Sequence, residues 1–336
     1  MPTPPTVSVI IPTYNRKDLL RETLNTLAQQ TYPSHNFEVI IVDDGSTDGT
    51  AAIATEIFSF ILRYFRQSNQ GDATARNVGA QQSQADILVF LDDDILVEAD
   101  YLTYLIQAHD MGQNKIVIGT SNLWPADTTP FSQSLHGSQG LDSIHTVTEL
   151  PFTDIYSNNM SLRREAYFKI GMMQGLDFPG SSMWCDLDFS YRAYRQGFEF
   201  YRSAEAICWH RDYTVRSLDT YKKRMRTAAY RAVVLFQKYP KLLPHVPMFY
   251  DKTPISWGQD SLHLIARKLA RAVASARLAL WSMEQIVHAL EKRDPASALL
   301  PALYRHIVGG YMFQGYREGL NEFGHIKNVG DPIKVR

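Results

Sequence analysis

ILVFLDDD, residues 87–94, runs five apolar side chains directly into three consecutive aspartates. A continuous apolar run of that length predicts a strand covered on both faces, and three carboxylates at its end are costly unless a cation or basic partner neutralises them. Side chains alternate along an extended chain, so Asp92 and Asp94 point to one side and Asp93 to the other. Two carboxylates on one side suit a hard divalent cation. Open parallel sheets bind their ligands at the carboxyl ends of the strands, where these acids fall. A solvated acidic turn reads the same three residues equally well, and the surroundings of the strand weigh between the two.

Working outward, apolar stretches predict strands at residues 7–11, 37–42, 61–65 and 87–91. Helical spacing predicts helices over 17–30, where Leu20, Leu24 and Leu27 share one face, and over 47–58 and 73–82. Strand and helix alternating in this way predict βαβ units and a mostly parallel sheet. Beyond residue 115 the pattern loosens. Short strands are expected at 116–119, 158–162 and 207–209, with a helix over 186–196 stopped by Gly197. The polar stretch 132–143 reads as a mobile surface loop. From Leu218 onward three amphipathic helices are expected, over 221–239, 262–291 and 296–323.

The chain of 336 residues can bury a sizeable core as one large domain or two modest ones. With 34 basic and 35 acidic residues the net charge of -1 offers no global attraction to nucleic acid. Two cysteines, Cys185 and Cys208, make no disulfide framework and fit a reducing compartment, although the two could approach each other. The opening MPTPPTVSVIIP lacks the basic segment and cleavage site of a signal peptide, and no apolar run is long enough to span a bilayer. A cytoplasmic location is the expectation.

PTYNR (12–16) and VDDGSTDGT (42–50) each place a polar turn at a strand's carboxyl end, ahead of an expected helix. Helix N-termini present unpaired N–H groups and positive dipole to phosphates. Turn chemistry at Gly45 and Ser46 and an N-cap at Asp48 are the plainer account. WCDLDFSYRAYRQG (184–197) puts Asp186 at a helix start, and Asp188 with Arg192 at ion-pair spacing.

Taken in order, VSVIIPTYNR (7–16), VIIVDDGSTDGT (39–50), NQGDATARNVG (69–79) and ADILVFLDDD (85–94) resemble family 2 of the glycosyltransferases, and the likeness returns over about 156–210. The resemblance implies a GT-A type, Rossmann-like α/β fold, with a mostly parallel sheet flanked by helices and a helical C-terminal region. It implies a glycosyltransferase domain over 1–215, divided into a nucleotide-binding half (1–120) and an acceptor half (121–215), followed by a helical extension over 216–336.

Residue by residue, it implies that Pro12, Thr13, Tyr14 and Arg16 line the nucleotide pocket with Asp43, Asp44, Gly71 and Arg76. Asp93 would contact the ribose. Asp92, Asp94 and His210, the last residue of AICWH, would hold Mn²⁺ or Mg²⁺ against the diphosphate. Asp186 matches the general base. Where the family has Glu before that aspartate, this chain has Cys185, which puts the holding of the acceptor in doubt. Asn158, Asn159 and Arg163 of YSNNMSLRR (156–164), together with Trp184 and Cys185, are the acceptor-side candidates, with core packing the alternative for Trp184.

The implied reaction is inverting transfer from a nucleotide-sugar, with a UDP-sugar favoured, to a hydroxyl of a glycan or lipid-linked acceptor. The loop after Ile118 and residues 132–143 are expected to close over the donor. The alternative is a non-catalytic nucleotide-sugar or carbohydrate-binding protein with a degenerate Glu-Asp motif. A dinucleotide-dependent dehydrogenase is excluded by the absence of G-x-G-x-x-G, and a nucleotidyltransferase by the absence of a Gly-rich basic loop after the first strand. YKKRMRTAAYRAVVLFQKY (221–239) combines basic and apolar faces. It reads as a helix packed on its own domain, as a peripheral contact with the inner face of a membrane, or as a homodimer surface.

Overall fold

The computed structural model describes residues 6–109, 112, 114–136, 147–176 and 183–326. The chain divides into two compact units, one of Met1–Trp124 with Leu141–Arg211 and the other of Pro125–Gly140 with Asp212–Arg336.

In chain order the first unit runs through β1 (Val7–Thr13), α1 (Lys17–Leu27), β2 (Phe37–Asp43), β3 (Ile61–Arg66), α2 (Asp72–Gln82), β4 (Ile87–Leu91), β5 (Ile95–Val97), α3 (Tyr101–Gln107) and β6 (Lys115–Leu123). Then α4 (Pro130–His136), which belongs to the second unit, precedes β7 (Val147–Glu149), β8 (Asn159–Arg163), α5 (Arg164–Ile170), α6 (Cys185–Arg195) and β9 (Glu199–His210). The second unit continues with α7 (Leu218–Lys238), α8 (Leu262–Ala274), α9 (Arg277–Arg293) and α10 (Leu300–Phe323).

Nine strands form one sheet in the order β3-β2-β1-β4-β8-β6-β9-β5, with β7 also on β9. The pairs β3-β2, β2-β1 and β1-β4 are parallel, while β8 is antiparallel to both β4 and β6. Every residue of β1, β2 and β4 is buried, as expected of strands covered on both faces. This is the GT-A-like arrangement. Leu20, Leu24 and Leu27 on α1 are buried against the sheet, each contributing about 1.5–3 kcal/mol. Helix α2 lies close to β1 because Gly79 has no side chain. A Cβ there would fall 2.3 Å from Ile10 Cγ2, so the glycine sets how near Arg76, one turn earlier, comes to the strand ends.

The structure departs from the sequence reading in several places. The helix expected over 47–58 is a 3₁₀ stretch, Thr50–Thr55. Gly45 and Gly49 take φ of 93° and 84°, and the Asp48 carboxylate accepts the N–H groups of Thr50 and Lys17, so local turns satisfy the backbone there. The strand expected at 207–209 is the end of the longer β9, which shifts register against β6 between Gly119 and Thr120. The loop expected over 132–143 is helical as far as His136, and its remainder lies outside the described residues. The helix expected over 262–291 is two helices. Helix α8 ends at Ser275, whose N–H and hydroxyl both donate to the Arg271 carbonyl, at 2.9 and 2.6 Å. Cys185 and Cys208 are both buried free thiols.

In the second unit the apolar residues of α7 are spent on α10. Gly315 and Gly319 allow close approach, since a Cβ at Gly315 would lie 2.0 Å from the Arg226 carbonyl oxygen and one at Gly319 2.4 Å from that of Tyr230. Ala228, Ala229, Ala232, Val233, Leu235 and Phe236 are buried, so this helix has no apolar face to lay on a membrane. Among the described residues no helix is long and apolar enough to cross one.

Candidate active site

Parallel pairing brings the carboxyl ends of β1, β2 and β4 to one edge of the sheet. There a cleft of about 180 Å³ is lined by Pro12, Thr13, Tyr14, Arg16, Asp44, Asp72, Arg76, Asp92 and Asp93. All but Asp72 were singled out from the sequence. The missed residue had a signal, its i,i+4 spacing to Arg76, and the two form an ion pair at 2.6 Å.

Two arginines neutralise the three aspartates. Arg16, in the turn after β1, donates Nη1 to Asp93 and Nη2 to Asp94, each at 2.7 Å. Arg76, buried on α2, pairs with Asp92 as well as Asp72. A planar fork offers each acid its own nitrogen in a fixed geometry, which is the physical case for Arg at both positions. Thr13 Oγ1 donates to Asp93 at 2.7 Å.

Burial raises the pKa of Asp93 to about 7, against the pull of Arg16. It also raises that of Asp92, with Arg76 opposing. Asp94 goes the other way, because His210 and Arg16 outweigh its burial and hold it below the usual carboxylate range.

His210, at the end of β9, brings Nε2 to 3.4 Å from Asp94 Oδ1. That oxygen is buried and accepts no hydrogen bond of normal geometry. A carboxylate oxygen and an imidazole nitrogen facing each other at this distance are donor types suited to a divalent ion such as Mn²⁺. Among the described residues no three or more acidic, His or Cys side chains are gathered into a ready cluster. The arginines hold the carboxylates instead, while Asp92, Asp94 and His210 are of the donor types a divalent ion takes.

Asp43 and Asp44 turn away from one another. Asp43 is fully buried and accepts the Ser46 N–H at 2.7 Å and the Tyr64 hydroxyl, on the side of β3. Asp44 accepts Gln67 Nε2 at 2.7 Å and the N–H groups of Gln70 and Gly71 at 2.8 Å. Asp44 therefore ties the 67–71 loop to the sheet. Gly71 takes φ 89° as the N-cap of α2, so its contribution is the backbone turn that launches Arg76.

On the acceptor side, Asp186 lies in the first turn of α6 after Trp184, which takes φ 71°, a rare conformation for a bulky residue. Burial raises the Asp186 pKa, while Arg76 and a hydrogen bond with Ser157 pull it down. Ser157 was passed over in favour of its asparagine neighbours. The Cys185 thiol stands 3.5 Å from Asp186 Oδ1, and burial and that carboxylate push its pKa well up. Cys185 is thus a neutral S–H donor beside Asp186, where a glutamate would add a second negative charge.

Two acceptor candidates are not brought to the cleft. Asn159 is buried between strands, its Nδ2 donating to the Gly119 carbonyl and to Cys208 Sγ at 3.2 Å. Because β8 runs antiparallel, Arg163 pairs with Ile87 at the far end of β4 from Asp92. Asn158 stays near, its carbonyl accepting the Asp92 N–H at 3.1 Å.

Residues 8–176 match the family model for glycosyl transferase family 2. Validoxylamine A glucosyltransferase of Streptomyces hygroscopicus subsp. limoneus is 41% identical over 119 residues, which is 34% of this chain and 26% of that protein. The match thus spans about a quarter of that curated relative. Among solved structures, the mannosyltransferase PcManGT from Pyrobaculum calidifontis, in complex with GDP-Man and Mn²⁺, is similar with a TM-score of 0.60 at 18% identity, covering 95% of this chain and 88% of that one. S. aureus TarS 1–349 in complex with UDP is similar with a TM-score of 0.52 at 20% identity, covering 95% and 92%.

Proposed function

Since this chain belongs to glycosyl transferase family 2, we propose that it transfers a sugar, with inversion, from a nucleotide-sugar to an acceptor hydroxyl, with Asp186 as the general base. The observation that carries this reading is the convergence on Arg76. One buried guanidinium pairs with Asp92 at the donor cleft and acts electrostatically on Asp186 at the start of α6.

The Asp186 carboxylate takes the proton of the acceptor hydroxyl. The hydroxyl oxygen donates its electron pair to the anomeric carbon as the bond from that carbon to the diphosphate oxygen breaks, and the pair of that bond leaves with the diphosphate. Asp94, Asp92 and His210 would hold a divalent ion, which when bound supplies neutralisation of the leaving diphosphate. Arg16, at the cleft mouth, is free to exchange carboxylate for phosphate as its partner. The Cys185 thiol hydrogen-bonds the Asp186 side chain and adds no charge, so the base keeps its single counter-charge in Arg76.

A UDP-sugar is the donor to test first. TarS was solved with UDP and PcManGT with GDP-Man, so both nucleotides belong in the experiment. Calorimetric titration of UDP and GDP, with and without Mn²⁺, should give metal-dependent binding of one nucleotide that is lost in Asp94→Ala. Failure of both nucleotides on folded protein would sink the proposal. Tight nucleotide binding with no sugar release to any hydroxyl, water included, would favour a binding protein instead.

A further inference from the structure

Helix α8 is built inside out. Its inward side carries cations: Lys268 is 4% exposed and donates to Asp260 at 2.6 Å and to the Pro254 carbonyl at 2.8 Å, and Arg271 donates to Asp251 at 2.9 Å. Leu264 is the helix's one fully buried leucine. Its outward side carries the apolar residues. Leu262, Ala266, Leu269 and Val273 follow one another at steps of four, three and four, which places them in one stripe along the helix. Leu262 is 86%, Leu269 54% and Val273 74% exposed. Apolar exposure continues past the break at Ser275 into the first turns of α9, where Leu278 is 74% and Trp281 58% exposed. An amphipathic helix normally turns its apolar stripe to the core, so a stripe held outward by buried ion pairs has been set there for an external apolar phase.

The charges around the stripe say which phase. From Ser261 to Met283 there is no Asp or Glu, in a chain with 35 of them, and there are four basic residues. Lys268 and Arg271 are matched internally, Arg267 lies one turn before Arg271 and acts on the buried Lys252, and Arg277 is exposed in the first turn of α9, one turn before Trp281. A second copy docking this face on itself about a two-fold axis would bring like charges together around the apolar contact. An anionic lipid surface takes both features at once. Leucines, valine and tryptophan enter the boundary between headgroups and acyl chains, and Arg277 meets the headgroup phosphates.

We infer that the outward face of α8, with the first turns of α9, docks on an anionic bilayer surface as an in-plane helix. Residues of the donor cleft take no part in this contact, so it stands apart from the proposed chemistry. The sequence had suggested 221–239 for such a role, but that helix buries its apolar residues.

The test is flotation of the full chain with vesicles of phosphatidylglycerol and phosphatidylcholine, and of phosphatidylcholine alone, at low and high salt. Wild type should float with the anionic vesicles at low salt and far less at 0.5 M salt, a value of order chosen to screen the surface (about 4 Å of Debye length). Arg277→Ser should weaken partitioning about fivefold. Leu269→Ser with Val273→Ser should abolish it. All three positions are exposed, and unchanged thermal melts would establish that the variants fold. Absence of wild-type binding to anionic vesicles would overturn the inference, as would equal binding by wild type and the Leu269/Val273 variant. Concentration-dependent dimers in sedimentation, lost in that variant, without lipid binding would also overturn it and assign the face to a second copy.

Discussion

Replacing Asp44 by asparagine or alanine separates an anchor from a ligand contact. The buried carboxylate accepts three hydrogen bonds, from Gln67 Nε2 and the N–H of Gln70 on Oδ1, and from the N–H of Gly71 on Oδ2. A hydrogen bond to a charged group contributes about 1.5–3 kcal/mol net, and a neutral one about 0.5–1.5. Asp44→Asn keeps an acceptor for the two donors on Oδ1 but turns an amide nitrogen toward the Gly71 N–H, so one bond is lost and two are weakened. Gln70 is exposed and Gly71 half-buried, so water replaces part of the loss. The expected destabilisation is about 2–4 kcal/mol for Asp44→Asn and about 3–5 for Asp44→Ala. Hydrogen exchange should show the Gln70 and Gly71 amides losing protection, and urea denaturation should show a lower midpoint at unchanged slope. Wild-type exchange at both amides together with a wild-type midpoint would refute the anchoring argument. A loss of nucleotide affinity alone would then return Asp44 to the lining of the nucleotide pocket that the family resemblance implied.

The close contact of α7 and α10 and the electrostatics around Asp186 make two further tests. Gly315→Ala must move the Arg226 carbonyl by at least 1 Å to relieve a 2.0 Å contact, and should lose about 2 kcal/mol net of any gain in helix propensity. Gly309→Ala meets the side-chain end of Arg271 at 2.8 Å, which Asp251 holds but which can shift more easily than backbone, so it should lose less than Gly315→Ala, and equal urea midpoints for the two variants would contradict the packing argument. For Asp186, burial raises the pKa and the base must be ionised, so activity should rise with pH through a midpoint above that of an ordinary aspartate. Arg76→Gln removes the charge that pulls this pKa down, which should carry the acidic limb of the kcat/KM profile to higher pH; an unmoved limb would show that Arg76 does not act on the base.

The parts legible in the sequence are those where one physical demand dominates. Strands β1, β2 and β4 are buried on both faces, so their apolar runs are unbroken and their acidic ends mark the cleft. Strand β9 mixes buried and half-buried residues at uneven spacing over a long stretch interrupted by a register shift, and only its last apolar residues stand out as a strand. Arg163 sits in the right motif, yet the reversal of β8 carries it to the far end of the sheet, which residue spacing cannot reveal. Asn159 looks like a polar residue near a site, but it serves a carbonyl and a thiol between strands. The break between α8 and α9 falls at Ser275 and Ala276, where the backbone leaves the helical region although the apolar periodicity runs straight through.

Arg16, which grips Asp93 and Asp94 from a half-exposed position at the cleft mouth, makes the protein carry its own counter-ion. A site of bare aspartates would draw small cations from the medium and shed them on binding a ligand, so its affinity would follow the salt concentration. On the proposed function the exchange would be internal: with a diphosphate in the cleft the guanidinium would pass from carboxylate to phosphate, and few of the solvent's ions would be exchanged. Donor affinity in such a site would be buffered against changes in ionic strength, and would respond to the reach of one arginine side chain.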